Sequence, residues 1–143
     1  MTVSPTKDDL ELVGTVPLFA GLARKAQREV ARHFKVRTVA AGKQLTTEGK
    51  NGRDFFVVLD GIARCDVGGV TVRRFERGDY FGELALITGG PRSATIVAET
   101  PMTLFILDRR DFTNLLWSSP AMMMRVLRSI AVRLQETDPR LAD

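Results

Sequence analysis

Phe81-Gly82-Glu83-Leu84-Ala85-Leu86-Ile87, followed after a short spacer by Pro91-Arg92-Ser93-Ala94-Thr95, is the stretch on which the reading of this chain turns. It places a carboxylate, a turn of small and apolar residues, glycines and an arginine within fifteen positions. That combination meets the chemical demands of a phosphorylated sugar. An arginine presents a planar fork of donors matched to phosphate oxygens. The first amides of a short helix have no partner within the helix and point at an anion. A neighbouring carboxylate accepts hydrogen bonds from sugar hydroxyls. Base, sugar and phosphate together suggest a nucleotide.

Outward from this stretch the chain divides into three zones. Residues 8–33 read as helical. Asp8 is a candidate N-cap before Leu10, Leu12 and Val13, and Gly14 and Pro17 break the pattern. Leu22, Ala26, Val30 and Phe34 then recur at helical spacing as one apolar stripe. Residues 34–107 change to strand period. Val36, Thr38 and Ala40 alternate with their neighbours, and Phe55 to Leu59 is the short continuous apolar run of a strand buried on both faces. Gly68-Gly69, between Ile62–Val67 and Val70–Phe75, marks a hairpin. Ser93–Glu99 and Met102–Leu107 supply two further strands around Pro101. Residues 108–138 are helical again: Asp108 caps a helix carrying Phe112, Leu115 and Leu116, and Ser119-Pro120 opens a final helix that Asp138-Pro139 ends. Short glycine-punctuated strands between helical ends describe a mainly β fold with helical flanks, an eight-stranded β-roll or double-stranded jelly roll, with N-terminal helices and two C-terminal helices.

Composition narrows the function classes. At 143 residues the chain is read as a single domain with one core. A hydrophobic content of 44% and the absence of a long apolar run argue for an ordered protein without a transmembrane span or secretory signal. One cysteine, Cys65, leaves no internal disulfide and agrees with a reducing, cytoplasmic setting. The net charge of +4 reads as scattered, so nucleic acid is an unlikely partner. His33 is the sole histidine, which removes the several-histidine metal centres that jelly rolls can carry, and no nucleophile–histidine pair is evident. No catalysis, metal or cofactor is expected.

The run from Phe81 to Thr95 resembles the phosphate-binding cassette of cyclic nucleotide-binding domains, the family that includes the sensor domains of the bacterial catabolite activator protein and of protein kinase A regulatory subunits. Leu18-Phe19-Ala20-Gly21-Leu22 resembles the opening segment of the same domains, and the likeness extends over about Val16 to Gln135. It implies the β-roll architecture: N-terminal helices at 8–33, a roll at 34–107 with its cassette at 81–95, and C-terminal helices at 108–138. Carried over by residue, Glu83 stands where the family's glutamate accepts the ribose 2′-hydroxyl, and Arg92 where its arginine pairs with the cyclic phosphate. Amides near Leu84 and Ala85 complete the anion cradle, Gly82 gives the ligand close access to the backbone, and Ser93 donates to phosphate or base. Arg133-Leu134-Gln135 and Thr137 resemble the helix whose arginine lies near the ribose-binding glutamate and whose threonine reaches adenine. The implied ligand is cAMP, with cGMP also compatible with Ser93.

Two faces of the final helix compete for the interior. Met123, Leu127, Ile130 and Leu134 form an apolar stripe expected to pack on the roll, with a dimer face as the alternative. Met122, Val126, Ser129, Arg133 and Thr137 form the other face. The expected function is a cyclic nucleotide sensor that couples binding to movement of its C-terminal helix and passes it to a protein effector or a second copy. The alternatives are a sensor piece of a larger transcription regulator, channel or enzyme, and an interaction scaffold that kept the fold without the ligand.

Overall fold

A computed structural model describes residues 6–138 and 140. Eight strands form two four-stranded antiparallel sheets flanked by helices. The N-terminal helices are α1 (Lys7–Thr15) and α2 (Arg24–His33). The strands are β1 (Lys35–Val39), β2 (Gln44–Thr46), β3 (Asp54–Asp60), β4 (Ala63–Val67), β5 (Val70–Phe75), β6 (Tyr80–Phe81), β7 (Thr95–Ala98) and β8 (Met102–Asp108). A short helix, α3 (Glu83–Thr88), lies between β6 and β7, and α4 (Arg109–Ser118) and α5 (Pro120–Thr137) close the chain. One sheet has the order β1-β8-β3-β6 and the other β2-β7-β4-β5, the double wrap of a jelly roll. Pro139 and the expected stop at Asp138-Pro139 fall partly outside the described residues, although α5 does end at Thr137 with Asp138 as its C-cap.

The continuous apolar runs arise because the first sheet separates two cores. From β3, Phe55 and Val57 join the helices in one cluster, while Phe56 and Val58 point between the sheets into the other. In β8, Phe105 and Leu107 serve the helical core, and Met102, Leu104 and Ile106 the inter-sheet core. A strand buried on both faces has no polar side to alternate with. Aromatic pairs join sheet to helices, with Phe55 stacked on Phe112 of α4 at 4.4 Å and Phe105 on Phe34 at 4.5 Å, while Phe56 stacks on Phe81 of the neighbouring strand at 4.9 Å. The Gly68-Gly69 hairpin takes positive φ at both residues, as a tight turn compatible with strand twist requires.

Four sequence expectations are corrected. Thr6, not Asp8, caps α1: its hydroxyl accepts from Asp9 N at 3.1 Å and its own N–H donates to Asp9 Oδ2 at 2.9 Å, a complete capping box. Gly14 lies inside α1, so only the approach to Pro17 ends that helix. The strand expected around Val36 and Thr38 forms as β1, an edge strand that turns Lys35 to Thr38 to solvent and leaves Val36 49% exposed. Basic charge is also less dispersed than it reads: Arg24, Lys25, Arg28, Arg32, Lys35 and Arg37 stand on α2 and β1 against Glu29 alone. Lys35 and Arg37 give the β1 edge the charges that discourage pairing with a foreign strand.

The fourth correction concerns α5. Its inward face carries Met122 and Val126, which are 0% and 2% exposed, whereas Met123, Leu127 and Leu134 are exposed at 37%, 55% and 55%. Only Ile130 of the expected stripe packs against the helical core. Polar anchors fix this rotation. Ser119 Oγ accepts from Met122 N, Arg125 donates to the Leu18 carbonyl at 2.7 Å, and Arg133 donates to Glu83. These bonds can form only with the Met122–Val126 side turned inward. Met122→Ala is therefore expected to lose about 2–5 kcal/mol of stability by urea unfolding. Met123→Ala should stay within about 0.5 kcal/mol of wild type. Equal losses at the two positions would restore the other face to the interior.

Candidate functional site

The sharp turn from β6 into α3 is built on Gly82, whose φ of +95° lies in the left-handed region. A Cβ there would sit 2.8 Å from the Asp54 carbonyl oxygen and 3.0 Å from Arg92 Nη1. Glycine is required both for the backbone angle and for the space. The turn delivers Glu83 to the first helical position of α3, where it is 1% exposed. An ionised carboxylate at that depth needs a partner, and Arg133 of α5 donates to its Oε1.

Arg92 is the second buried charge, 6% exposed. Its Nη1 donates to the Gly82 carbonyl at 2.9 Å and its Nη2 to the Asp54 carbonyl at 2.7 Å. The main chain holds it from the other side: Arg92 N donates to the Lys50 carbonyl at 2.8 Å, and Gly49 N donates to the Arg92 carbonyl at 2.9 Å. Desolvation pulls the guanidinium pKa below its ordinary value, and the Asp54 and Glu83 carboxylates pull it back up. Arginine stays cationic at neutral pH nonetheless. Two N–H groups are engaged, and the rest of the planar fork remains as donors for an anion.

Between these charges lies a small cavity of about 60 Å³. Gly82, Glu83, Leu84, Ala85, Arg92, Ser93 and Arg133 all line it. The structure thus brings seven of the eight sequence-derived site residues to one place. Thr137 is the exception: it is exposed, is absent from the cavity wall, and donates its hydroxyl to the Arg133 carbonyl within its own helix at 2.9 Å.

A cation, a carboxylate and the start of a short helix around one cavity agree with the sequence model of the cyclic nucleotide-binding domain, which matches residues 36–119. The chain belongs to this family. It is 35% identical over 130 residues to a cyclic nucleotide-gated potassium channel of Rhizobium etli, an alignment covering 91% of this chain and 36% of the channel. It superposes on cAMP-bound PfPKA-R with a TM-score of 0.78 at 28% identity, covering 93% of this chain and 46% of that one. The catabolite activator protein of Thermus thermophilus gives a TM-score of 0.76 at 31% identity over 88% of this chain and 62% of that one. The chain therefore spans about a third of the channel's length and less than half of the regulatory chain's.

In this cyclic nucleotide-binding domain several wall residues escaped the sequence reading. Thr46, Cys65, Phe75, Phe81, Ala94 and Ile96 supply the rest of the lining. Thr46 is buried, and its hydroxyl donates to the Ala94 carbonyl at 2.9 Å, tying β2 to the end of the cassette. Burial, and secondarily Asp66, push the Cys65 thiol up, so it faces the cavity as a neutral thiol. The most consequential omission is Gly52, in the loop between β2 and β3. A Cβ there would lie 2.0 Å from Arg92 Nε and 2.5 Å from Cζ. Its sequence signal was a glycine in a loop rich in them, with nothing to mark it as the seat of a guanidinium. Gly52→Ala must push Arg92 off its two carbonyls and should destabilise the fold by roughly 1–3 kcal/mol. In an Arg92→Ala background the same change should cost less than about 0.5 kcal/mol, because the clashing group is gone. Undiminished cost there, measured as a double-mutant cycle in urea, would refute the clash.

Proposed function

We propose that this chain binds a cyclic nucleotide in the Glu83–Arg92 cavity, prefers cAMP over cGMP, and reports occupancy through the position of α5. The observation that carries the reading is Arg92: a guanidinium buried to 6% exposure, aimed into a cavity with donors to spare. Such a group matches a phosphate better than any neutral ligand. Glu83 accepts the ribose 2′-hydroxyl, and the Leu84 and Ala85 amides border the phosphate. Ser93, exposed at the rim, offers its hydroxyl to phosphate or base. The cAMP preference rests on that serine and on the likeness to cAMP-bound PfPKA-R. The role is one of binding and regulation, with no reaction of its own.

Coupling to α5 follows from the position of Arg133. Glu83 lies at the ligand and Arg133 on the helix, and they share one ion pair. A ribose hydroxyl that draws on Glu83 alters the hold on α5, and an α5 drawn over the cavity brings Thr137 toward the base. The exposed Met123, Leu127 and Leu134 form the outer surface through which an effector or second copy reads that movement. No helix among the described residues is long and apolar enough to cross a membrane.

Calorimetric titration of wild type should show cAMP binding more tightly than cGMP, with 5′-AMP much weaker. Arg92→Ala should weaken cAMP by about 2–5 kcal/mol, the range for truncating one side of a buried charged pair. Circular dichroism would check that the variant is folded. Unchanged affinity in a folded variant removes Arg92 from the phosphate site. Amide hydrogen exchange over residues 108–138 should slow on adding cAMP. Equal protection with and without it refutes the coupling through α5.

A further inference from the structure

Tyr80 is the last residue but one before the Gly82 turn, and its ring packs on Phe55 at 5.6 Å in the helical core. Its hydroxyl is buried and makes no hydrogen bond, the one side-chain polar atom of that kind among the described residues. The neighbouring buried polar groups are all met: Thr46 by the Ala94 carbonyl, Ser119 by Met122 N, Arg92 by two carbonyls and Glu83 by Arg133. A buried orphan hydroxyl is unfavourable, and a phenylalanine would fill the same ring space without it.

The group nearest in kind is the hydroxyl of Ser129 on α5. Tyr80 packs in the helical core with Val126 and Ile130 of α5, the residues on either side of Ser129; the Ser129 side chain opposes the rise that burial gives the phenol pKa, yet the phenol oxygen completes no hydrogen bond. Ser129 and Arg133 are four residues apart on one face of α5. Tyr80 and Glu83 flank the Phe81-Gly82 turn. One short segment of the cassette therefore faces one helix face at two points. The Glu83–Arg133 contact is made and the Tyr80–Ser129 contact is open.

We propose that Tyr80 is a positioning residue that latches α5: its hydroxyl bonds Ser129 when the helix takes the position it holds with a cyclic nucleotide in the cavity. The latch rests on the function proposed above and adds a second point of contact to it. A nucleotide that draws on Glu83 shifts α5 about the Arg133 contact. Ser129, one turn away, then comes into line with the phenol. The bond formed contributes to nucleotide affinity although Tyr80 touches no part of the ligand.

The test is calorimetric titration of the whole chain with cAMP and cGMP for wild type, Tyr80→Phe, Ser129→Ala and the double variant, with Tm measured without nucleotide. Tyr80→Phe should melt no lower than wild type, because it removes an unpaired group. It should bind cAMP about three- to tenfold more weakly, and tenfold is about 1.4 kcal/mol, the scale of one hydrogen bond. Ser129→Ala should weaken binding to a similar degree, the double variant no further than the worse single, and Ser129→Thr should retain wild-type affinity. Wild-type binding with Tyr80→Phe and Ser129→Ala both within twofold overturns the latch and leaves the nucleotide site standing. So does a double variant whose loss is the product of the singles. If wild type binds neither nucleotide, the reading of the site fails and the latch with it.

Discussion

Arg92 carries a full charge into the wall of the roll, and a guanidinium at that depth is tolerated only where oxygen atoms meet it. The oxygens come from two segments far apart in sequence, the Gly82 carbonyl at the turn into α3 and the Asp54 carbonyl at the start of β3. A third segment, the β2–β3 loop, leaves room for the side chain at Gly52 and pairs with the Arg92 main chain through Gly49 and Lys50. One side chain thus ties a loop, a strand and a helix start into a single frame. The same requirement accounts for the backbone at Gly82, which must be left-handed to bring its carbonyl to the guanidinium and Glu83 to the cavity. The preorganisation that an anion would exploit is the structure that keeps the cation buried.

The two-core architecture decides what this frame can influence. The inter-sheet core lies behind the cavity, with Phe81 packed on both Phe56 and Phe75. The helical core lies on the other face of β3, where Phe55 touches both Tyr80 beside the cassette and Phe112 of α4. Packing at native density transmits displacements rather than absorbing them. The cassette therefore touches the C-terminal helices at two places, through the Phe55 contact in the core and through the buried Glu83–Arg133 pair beside the cavity. α5 is held at both ends of its inner face, by the buried Ser119 cap and by Arg133, with Met122 and Val126 between.

Most of this plan was legible in the sequence, for reasons that also explain where legibility stopped. The cassette is contiguous, so its resemblance to the family's could be read along the chain and Gly82, Glu83 and Arg92 matched to it without knowing what surrounds them. Strand and hairpin positions followed from glycines and from apolar runs that only a doubly buried strand explains. Helical periodicity, by contrast, identifies stripes and does not say which one turns inward. On α5 both stripes carry apolar residues, and the choice was made by Arg125 reaching the Leu18 carbonyl and Arg133 reaching Glu83, contacts between residues remote in sequence. Gly52 was hidden for the same reason, since its importance lies in the Arg92 side chain, from a loop remote in sequence. The alternation at Val36 and Thr38 marked a strand correctly and left its burial open, which depends on β1 lying at a sheet edge.

The Glu83–Arg133 pair bears on how a ligand could change α5 at all. A carboxylate has lone pairs enough to accept from an arginine and a hydroxyl together, so a ribose need not expel Arg133 in order to bind. If both bonds coexist, occupancy adds order around a helix that is already docked, and affinity and docking reinforce each other. If they compete, occupancy loosens the contact that holds α5 nearest the cavity. In either case a ligand shifts the helix only by the difference in its affinity for the two positions. Linkage makes that difference reciprocal: a partner that fixes α5 must change nucleotide affinity by the same factor, with the sign set by whether Glu83 serves both groups or only one. On the proposed reading, the buried Glu83 carboxylate would serve ligand and helix together, and the direction of a signal through this fold would be decided there.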